Sequence, residues 1–307
     1  MAEQMKKYAN LLQGEVLDLT SEIALISPTD TPLTTLLYSM GKTVGATDIT
    51  VSWREKELHK PSSVLSNLML EGAEAPESVH STRKMLSNIC QIMSKATSVS
   101  GTLNALNPHG IGNEFASEIA DRLLELKRDM EYFFISGTKA VENSSTPRQM
   151  NGLMNLVGHS IDLTSNQELT EDVLIDAMQK MWECGVSSEN IYAFCGATVK
   201  RKINKLLSDN GATRIAAQLG QKHPLGIMVD KLVSDFGDFN LVLNRHMPKN
   251  AILIVDLNEV EIATLRPVFF QELAKTGDYT KGQIITENTI KLLNSKAGVK
   301  IINIGEE

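Results

Sequence analysis

The sequence predicts an α+β protein, and three observations carry that reading. A single long amphipathic helix stands near the middle of the chain, helices then alternate with short apolar strands, and a tail of longer strands follows. The 307 residues are ample for a core, enough for one large or two medium domains at ~150 residues each. Hydrophobic residues make up 42% and charged residues 22%, so disorder is not the dominant state.

Residues 1–45 read as a mixed arm. Leu11, Leu12, Val16, Leu19, Ile23 and Ile26 recur at loosely helical spacing, until Ser27-Pro28-Thr29-Asp30-Thr31-Pro32 breaks the pattern. A short apolar run, Leu33 to Met40, follows. Thr47 to Trp53 then alternates polar and apolar like a half-buried strand, and a second extended stretch runs from Met85 to Thr102. The segment between them has no period. It holds the acids Glu57, Glu71, Glu74 and Glu77 and an apolar cluster of Val64, Leu65, Leu68, Met69 and Leu70. Loops this long are usually functional or disordered, and the apolar cluster points to burial against another surface.

The long helix is expected over Glu114 to Ser136. Phe115, Ile119, Leu123, Leu126, Met130 and Phe133 step by 4, 4, 3, 4 and 3, with Asn113 able to cap the start and Gly137 able to end it in a left-handed conformation. At ~1.5 Å per residue the rod is about 35 Å long, the length of a strut.

Past the polar link 142–149, Thr170 caps a helix carrying Leu174, Ala177, Met178 and Met181 and ended by Gly185. Ile191 to Cys195 reads as a strand, and Val199, Ile203, Leu206 and Leu207 mark a second helix. Strands are expected at Met228 to Val233, Phe239 to Leu243, Ala251 to Asp256 and Glu259 to Leu265. The tail adds Pro267 to Ala274, Gln283 to Leu293 and Val299 to Ile304, joined by turns at 276–278 and 296–298.

Several chemistries are disfavoured. No apolar run approaches the ~20 residues of a membrane span, and Met1 to Asn10 lacks a signal pattern, so the chain is expected in the cytoplasm. A net charge of −7 and a pI near 5.5 argue against a dedicated nucleic-acid reader. Cys90, Cys184 and Cys195 are too few and too scattered for a disulfide framework or zinc site. His59, His80, His109, His159, His223 and His246 share no ligand spacing. No cofactor and no catalytic motif is expected. Gly41-Lys42-Thr43 looks like the end of a phosphate loop but lacks the glycine five positions earlier, where Leu36 stands. Lys200, Arg201, Lys202 and Lys205 read as a solvated helix face. Asn143-Ser144-Ser145 matches a glycosylation sequon, without meaning in the absence of a secretory signal.

The order of parts resembles the major capsid protein fold of tailed bacteriophages, herpesviruses and encapsulin shells, the Hong Kong phage type. Local strings are similar to one branch, typified by phage SU-ten. They are Ser27-Pro28-Thr29-Asp30-Thr31-Pro32, Trp53 after its strand, Glu71-Gly72-Ala73-Glu74-Ala75, Val99-Ser100-Gly101-Thr102, Glu125-Leu126-Lys127-Arg128-Asp129-Met130-Glu131, and Leu273-Ala274-Lys275-Thr276-Gly277-Asp278. The resemblance implies an N-terminal arm over 1–46, an extended β-loop over 47–100 and a peripheral domain with the spine helix over 101–150 and 266–307. An axial domain over 151–265 would complete the subunit.

It also implies a function: a major capsid protein self-assembling into pentamers and hexamers of an icosahedral shell around double-stranded DNA. The virion capsid would be its place, after assembly in the host cytoplasm. Partners would be further copies of itself, with separate scaffolding, portal and decoration proteins possible. The N-terminus is expected to be too short for the cleaved scaffolding segment of many relatives, which implies a separate scaffolding protein or none. Covalent cross-linking, known in some, would need Lys56 or Lys60 to meet an Asn, and no partner is visible. An acidic balance suits a DNA container, since basic inner walls would hold the packed polyanion. The expected assembly surface comprises Trp53, Val64, Leu65, Leu68, Met69, Leu70, Glu71 and Glu74. Two alternatives stand beside this: an encapsulin-like cargo shell, and a soluble α/β enzyme with its cleft in 151–265.

Overall fold

The computed structural model describes residues 31–58, 68–75, 78, 80–105, 114–163, 167–186, 189–209, 216–222 and 228–305; for 207–209, 216–222, 228 and 229 only the backbone is described. In chain order the elements are α1 (Pro32–Ser39), β1 (Thr43–Gly45), β2 (Thr50–Lys56), β3 (Arg83–Ile89), β4 (Gln91–Ser100), α2 (Gly101–Ala105) and the spine helix α3 (Glu114–Ser136). Then come α4 (Leu153–Leu156), β5 (His159–Asp162), α5 (Glu171–Glu183), β6 (Ile191–Cys195), α6 (Ala197–Asp209), β7 (Ala216–Lys222), β8 (Met228–Ser234) and β9 (Gly237–Leu243). The chain ends with β10 (Ile252–Asp256), β11 (Val260–Glu272), β12 (Tyr279–Leu292) and β13 (Gly298–Ile302).

The apolar run after the prolines forms α1, with Pro32 in its first turn, where a missing N–H costs nothing. Gly41, at φ +66°, ends it: the Gly41 N–H donates to Tyr38 O and the Lys42 N–H to Leu37 O. That pair of hydrogen bonds closes the helix's last carbonyls. Gly41-Lys42-Thr43 is therefore a helix stop leading into β1, and Lys42 Nζ donates to Asn258 O. The same closure ends α5, where Gly185 has φ +82° and the Val186 N–H donates to Met181 O.

The spine helix keeps the expected bounds, but Gly137 ends it differently. Its φ is not positive; a Cβ there would lie 2.6 Å from Phe133 O and 2.7 Å from Met150 O, so glycine serves a close backbone crossing. Gly152 is the other half of that crossing, donating its N–H to Gly137 O at 2.9 Å. Asn113 lies outside the described residues, and Thr170 stands at the N-cap of α5 without a side-chain cap bond.

Three sheets organise the described residues. The four-stranded sheet runs β1-β11-β12-β4, and the spine helix packs on it, with Phe115 edge-on to Phe270 at 6.0 Å. The two strands expected at 259–265 and 267–274 are one strand, β11. Register shifts between Thr264 and Phe269 absorb Pro267, which has no N–H for the ladder.

The seven-stranded sheet runs β5-β13-β10-β6-β9-β8-β7. Both faces are covered, which is why β6 and β10 are apolar without alternation. Ala193, Cys195, Ile252, Ile254, Val299 and Ile301 face the core shared with α5 and α6. Tyr192, Phe194, Leu253 and Val255 join the core of α1, the spine helix and the four-stranded sheet. The tail expected as one block beside the spine helix is thus divided. β12 lies in the four-stranded sheet, whereas β13 pairs with β10, because Val299 and Ile301 complete the α5–α6 core. The strands β2 and β3 form the third sheet, a ribbon of two.

Candidate assembly interface

The ribbon pairs Thr50 with Ile89 through Lys56 with Arg83. Its root is built from polar contacts. Asn88, fully buried, commits its whole side-chain amide there: Nδ2 donates to Asn151 O and Ile290 O at 2.8 and 2.7 Å, while Oδ1 accepts from the Asn151 and Ile89 N–H groups. Lys139 Nζ reaches Ser87 O at 2.9 Å, Glu55 accepts the Ser295 N–H, and Lys296 Nζ meets Glu57 Oε1 at 2.7 Å. Past the root, burial fails. Met85 is 63% exposed, Leu58 73%, Leu68 70%, Met69 51% and Leu70 85%. A lone two-stranded ribbon is marginally stable in water, and exposed large apolar side chains gathered in one region are typical of interaction surfaces.

Of the residues expected at an assembly surface, Leu68, Met69 and Leu70 are exposed, as are Glu71 and Glu74 around a turn in which Gly72 has φ +82°. Val64 and Leu65 lie outside the described residues. Trp53 differs: it is 9% exposed, covered by its own chain, so little of its ring is left for a neighbour. Met85 was hidden from sequence reading, because one methionine near the start of a strand carries no signal of its own.

Elsewhere the buried polar residues hold the fold together. Glu287, on β12, pairs with both Arg148 and Arg266, the latter at 2.7 Å. Lys95 bridges from β4 to Asp129 of the spine helix at 2.7 Å. The basic cluster on α6 is not wholly solvated: Lys200 pairs with Asp230, and Lys202 Nζ donates to Gly305 O. Their chain partners come from β8 and the tail, which sequence spacing does not reveal. Burial lowers the Lys200 pKa from its ordinary value. Cys184 Sγ lies 3.5 Å from His159 Nε2; burial first, then the Lys180 and Lys296 charges, depress that imidazole's pKa. Burial pushes the Cys90 and Cys195 thiols up to about 11 and about 12. Among the described residues no three His, Cys, Asp or Glu side chains gather as a metal site, and no helix is long and apolar enough to cross a membrane.

Sequence reading missed Lys127 and Glu131, 1% and 0% exposed on the spine helix. Their signal is positional. They follow Leu123 at i+4 and i+8, inside the apolar stripe, where an unpartnered charge would be costly.

A spine helix on a four-stranded sheet, a two-faced seven-stranded sheet and a projecting ribbon define a capsid-type shell subunit. The capsid asymmetric unit of cyanophage A-1(L) superposes with a TM-score of 0.63 at 11% identity, over 91% of this chain and 94% of that one. The holo-SrpI encapsulin complex of Synechococcus elongatus PCC 7942 gives 0.61 at 11% identity, over 90% and 89%. The fold is therefore common to phage and encapsulin shells, and sequence separates them. The SU10 major capsid protein family matches residues 4–305, and the chain belongs to it. The major capsid protein of Escherichia phage Phieco32 is 23% identical over 335 residues, covering 92% of this chain and 93% of that protein. The chain is a phage major capsid protein, a structural subunit of the virion shell.

Proposed function

We propose that copies of this subunit form pentamers and hexamers of an icosahedral shell around double-stranded DNA, with the ribbon of each lying across its neighbour. The observation that carries this is the set of exposed apolar side chains at Met85 on the ribbon and at Leu58, Leu68, Met69 and Leu70 in the segment that joins its two strands. Burying such a side chain completely is worth roughly 1.5–3 kcal/mol, so repetition at every contact is large in a shell. The arm 1–46, extended loop 47–100, and peripheral and axial parts are the working division, with β13 assigned to the axial sheet. The subunit works as structure rather than by turnover. Family membership supports that over a cleft enzyme in 151–265, and over a cargo shell. Scaffolding, portal and decoration proteins are partners of this reading.

Replacing 58–79 with a short Gly-Ser linker tests it. The variant should stay folded by circular dichroism and melt cooperatively, yet close no shells in electron micrographs where the wild type does. Shells of normal size from the variant would sink the clamp role, and unfolding would make the segment part of the subunit's core.

A further inference from the structure

A fully buried polar cluster lies away from the ribbon, at Glu131 of the spine helix. Its carboxylate is fully buried and takes two donors on each oxygen. Oε1 accepts the Leu33 N–H at 2.9 Å and Asn244 Nδ2 at 2.5 Å; Oε2 accepts the Thr34 N–H at 2.8 Å and Thr34 Oγ1 at 2.5 Å.

The first turn of α1 depends on these bonds. A helix leaves its first N–H groups without internal partners, and a side chain just before it usually serves them. Here Thr31, at that position, makes no such bond, and its buried Oγ1 has no hydrogen-bond partner. Pro32 has no N–H, and the Thr35 N–H already bonds Thr31 O at 3.0 Å. The remaining two, Leu33 and Thr34, are closed by a carboxylate 98 and 97 residues away, at the positive end of the helix. Asn244 is equally committed. It follows β9, its N–H donates to Cys195 O at 2.9 Å, and its Oδ1 accepts the His246 N–H at 2.8 Å. One carboxylate thus ties the arm, the spine helix and the seven-stranded sheet together.

We propose that Glu131 is a positioning residue for assembly: it locks the root of the N-terminal arm to the spine helix and the end of β9, and shell closure needs that setting. The claim about closure rests on the shell reading above; the claim about the lock does not.

The test uses the full chain with Glu131→Gln. A glutamine puts an NH2 where one oxygen was; in either orientation it faces a backbone N–H, that of Leu33 or of Thr34, and only the Thr34 hydroxyl can turn to accept from it. The variant should keep its circular dichroism, while hydrogen exchange of whichever amide faces the NH2, Leu33 or Thr34, speeds up at least tenfold and shells become open or irregular. Adding Asn244→Asp supplies an acceptor for the new NH2 on the spine helix while still accepting from the His246 N–H. The double variant should therefore regain part of the protection, which a mere loss of packing would not allow. Should Glu131→Gln fail to fold, Thr34→Ala removes only the hydroxyl bond and must still raise exchange across 33–36. Unchanged exchange in whichever folded variant is read, no recovery in the double variant, or faster exchange with normal shells would each overturn the proposal. If the wild type itself never forms shells, the shell reading fails while the exchange measurements still judge the lock.

Discussion

At the scale of single residues, glycine has two distinct uses here, and they predict different costs. At Gly137 an added Cβ would strike two carbonyl oxygens, so Gly137→Ala forces the backbone crossing apart and should cost about 1–3 kcal/mol. At Gly185 the space is open and only the left-handed backbone is strained, about 1–2 kcal/mol. Urea unfolding of each variant measures both; an unchanged midpoint for Gly137→Ala would refute the crossing. His159 gives a pH dependence. Its folded pKa lies below the ordinary 6.5, so the folded state resists protonation. Its contribution to stability is complete above 6.5 and is lost as pH falls through the lower folded value. The melting-temperature advantage of wild type over His159→Gln should therefore shrink between neutral and mildly acidic pH. An advantage that stays constant would show that His159 does not titrate against folding.

Among the elements, the ribbon depends on its root. Asn88→Ala would strip partners from Asn151 N, Asn151 O and Ile290 O. A buried polar group left unpaired costs about 1–3 kcal/mol, so the loss exceeds that of a surface contact. The expected outcome is a folded body with faster hydrogen exchange through β2 and β3, while β6 and β10 stay protected. Uniform loss of protection across all sheets would place Asn88 in the global core instead. The spine helix, β6 and α5 were legible from periodicity and end signals, which are local properties. The pairing of β13 and the unity of β11 were not, because a run such as Val299 to Ile304 satisfies either sheet until its neighbours are known.

For the whole molecule, one core runs from α1 through the spine helix to one face of the seven-stranded sheet, and a second fills the other face. The ribbon stands outside both. In the proposed assembly, that separation lets the body fold alone while another copy covers the exposed apolar side chains at and beside the ribbon. Much of the candidate surface could be read from sequence, because Leu68, Met69 and Leu70 break every period and so match no core of their own. Met85 and the covered position of Trp53 could not, since alternation says that a side chain faces one side, not what stands there. The spine helix, α5 with its stop at Gly185, β6 and the acidic balance were settled by the amino-acid order, because each follows from neighbouring residues. Three-dimensional packing alone settled which sheet takes β13, that Gly137 serves a crossing, and that Glu131 caps a helix 97 residues away. Buried polar groups must find partners wherever the chain brings them, and that closure is not written in local spacing.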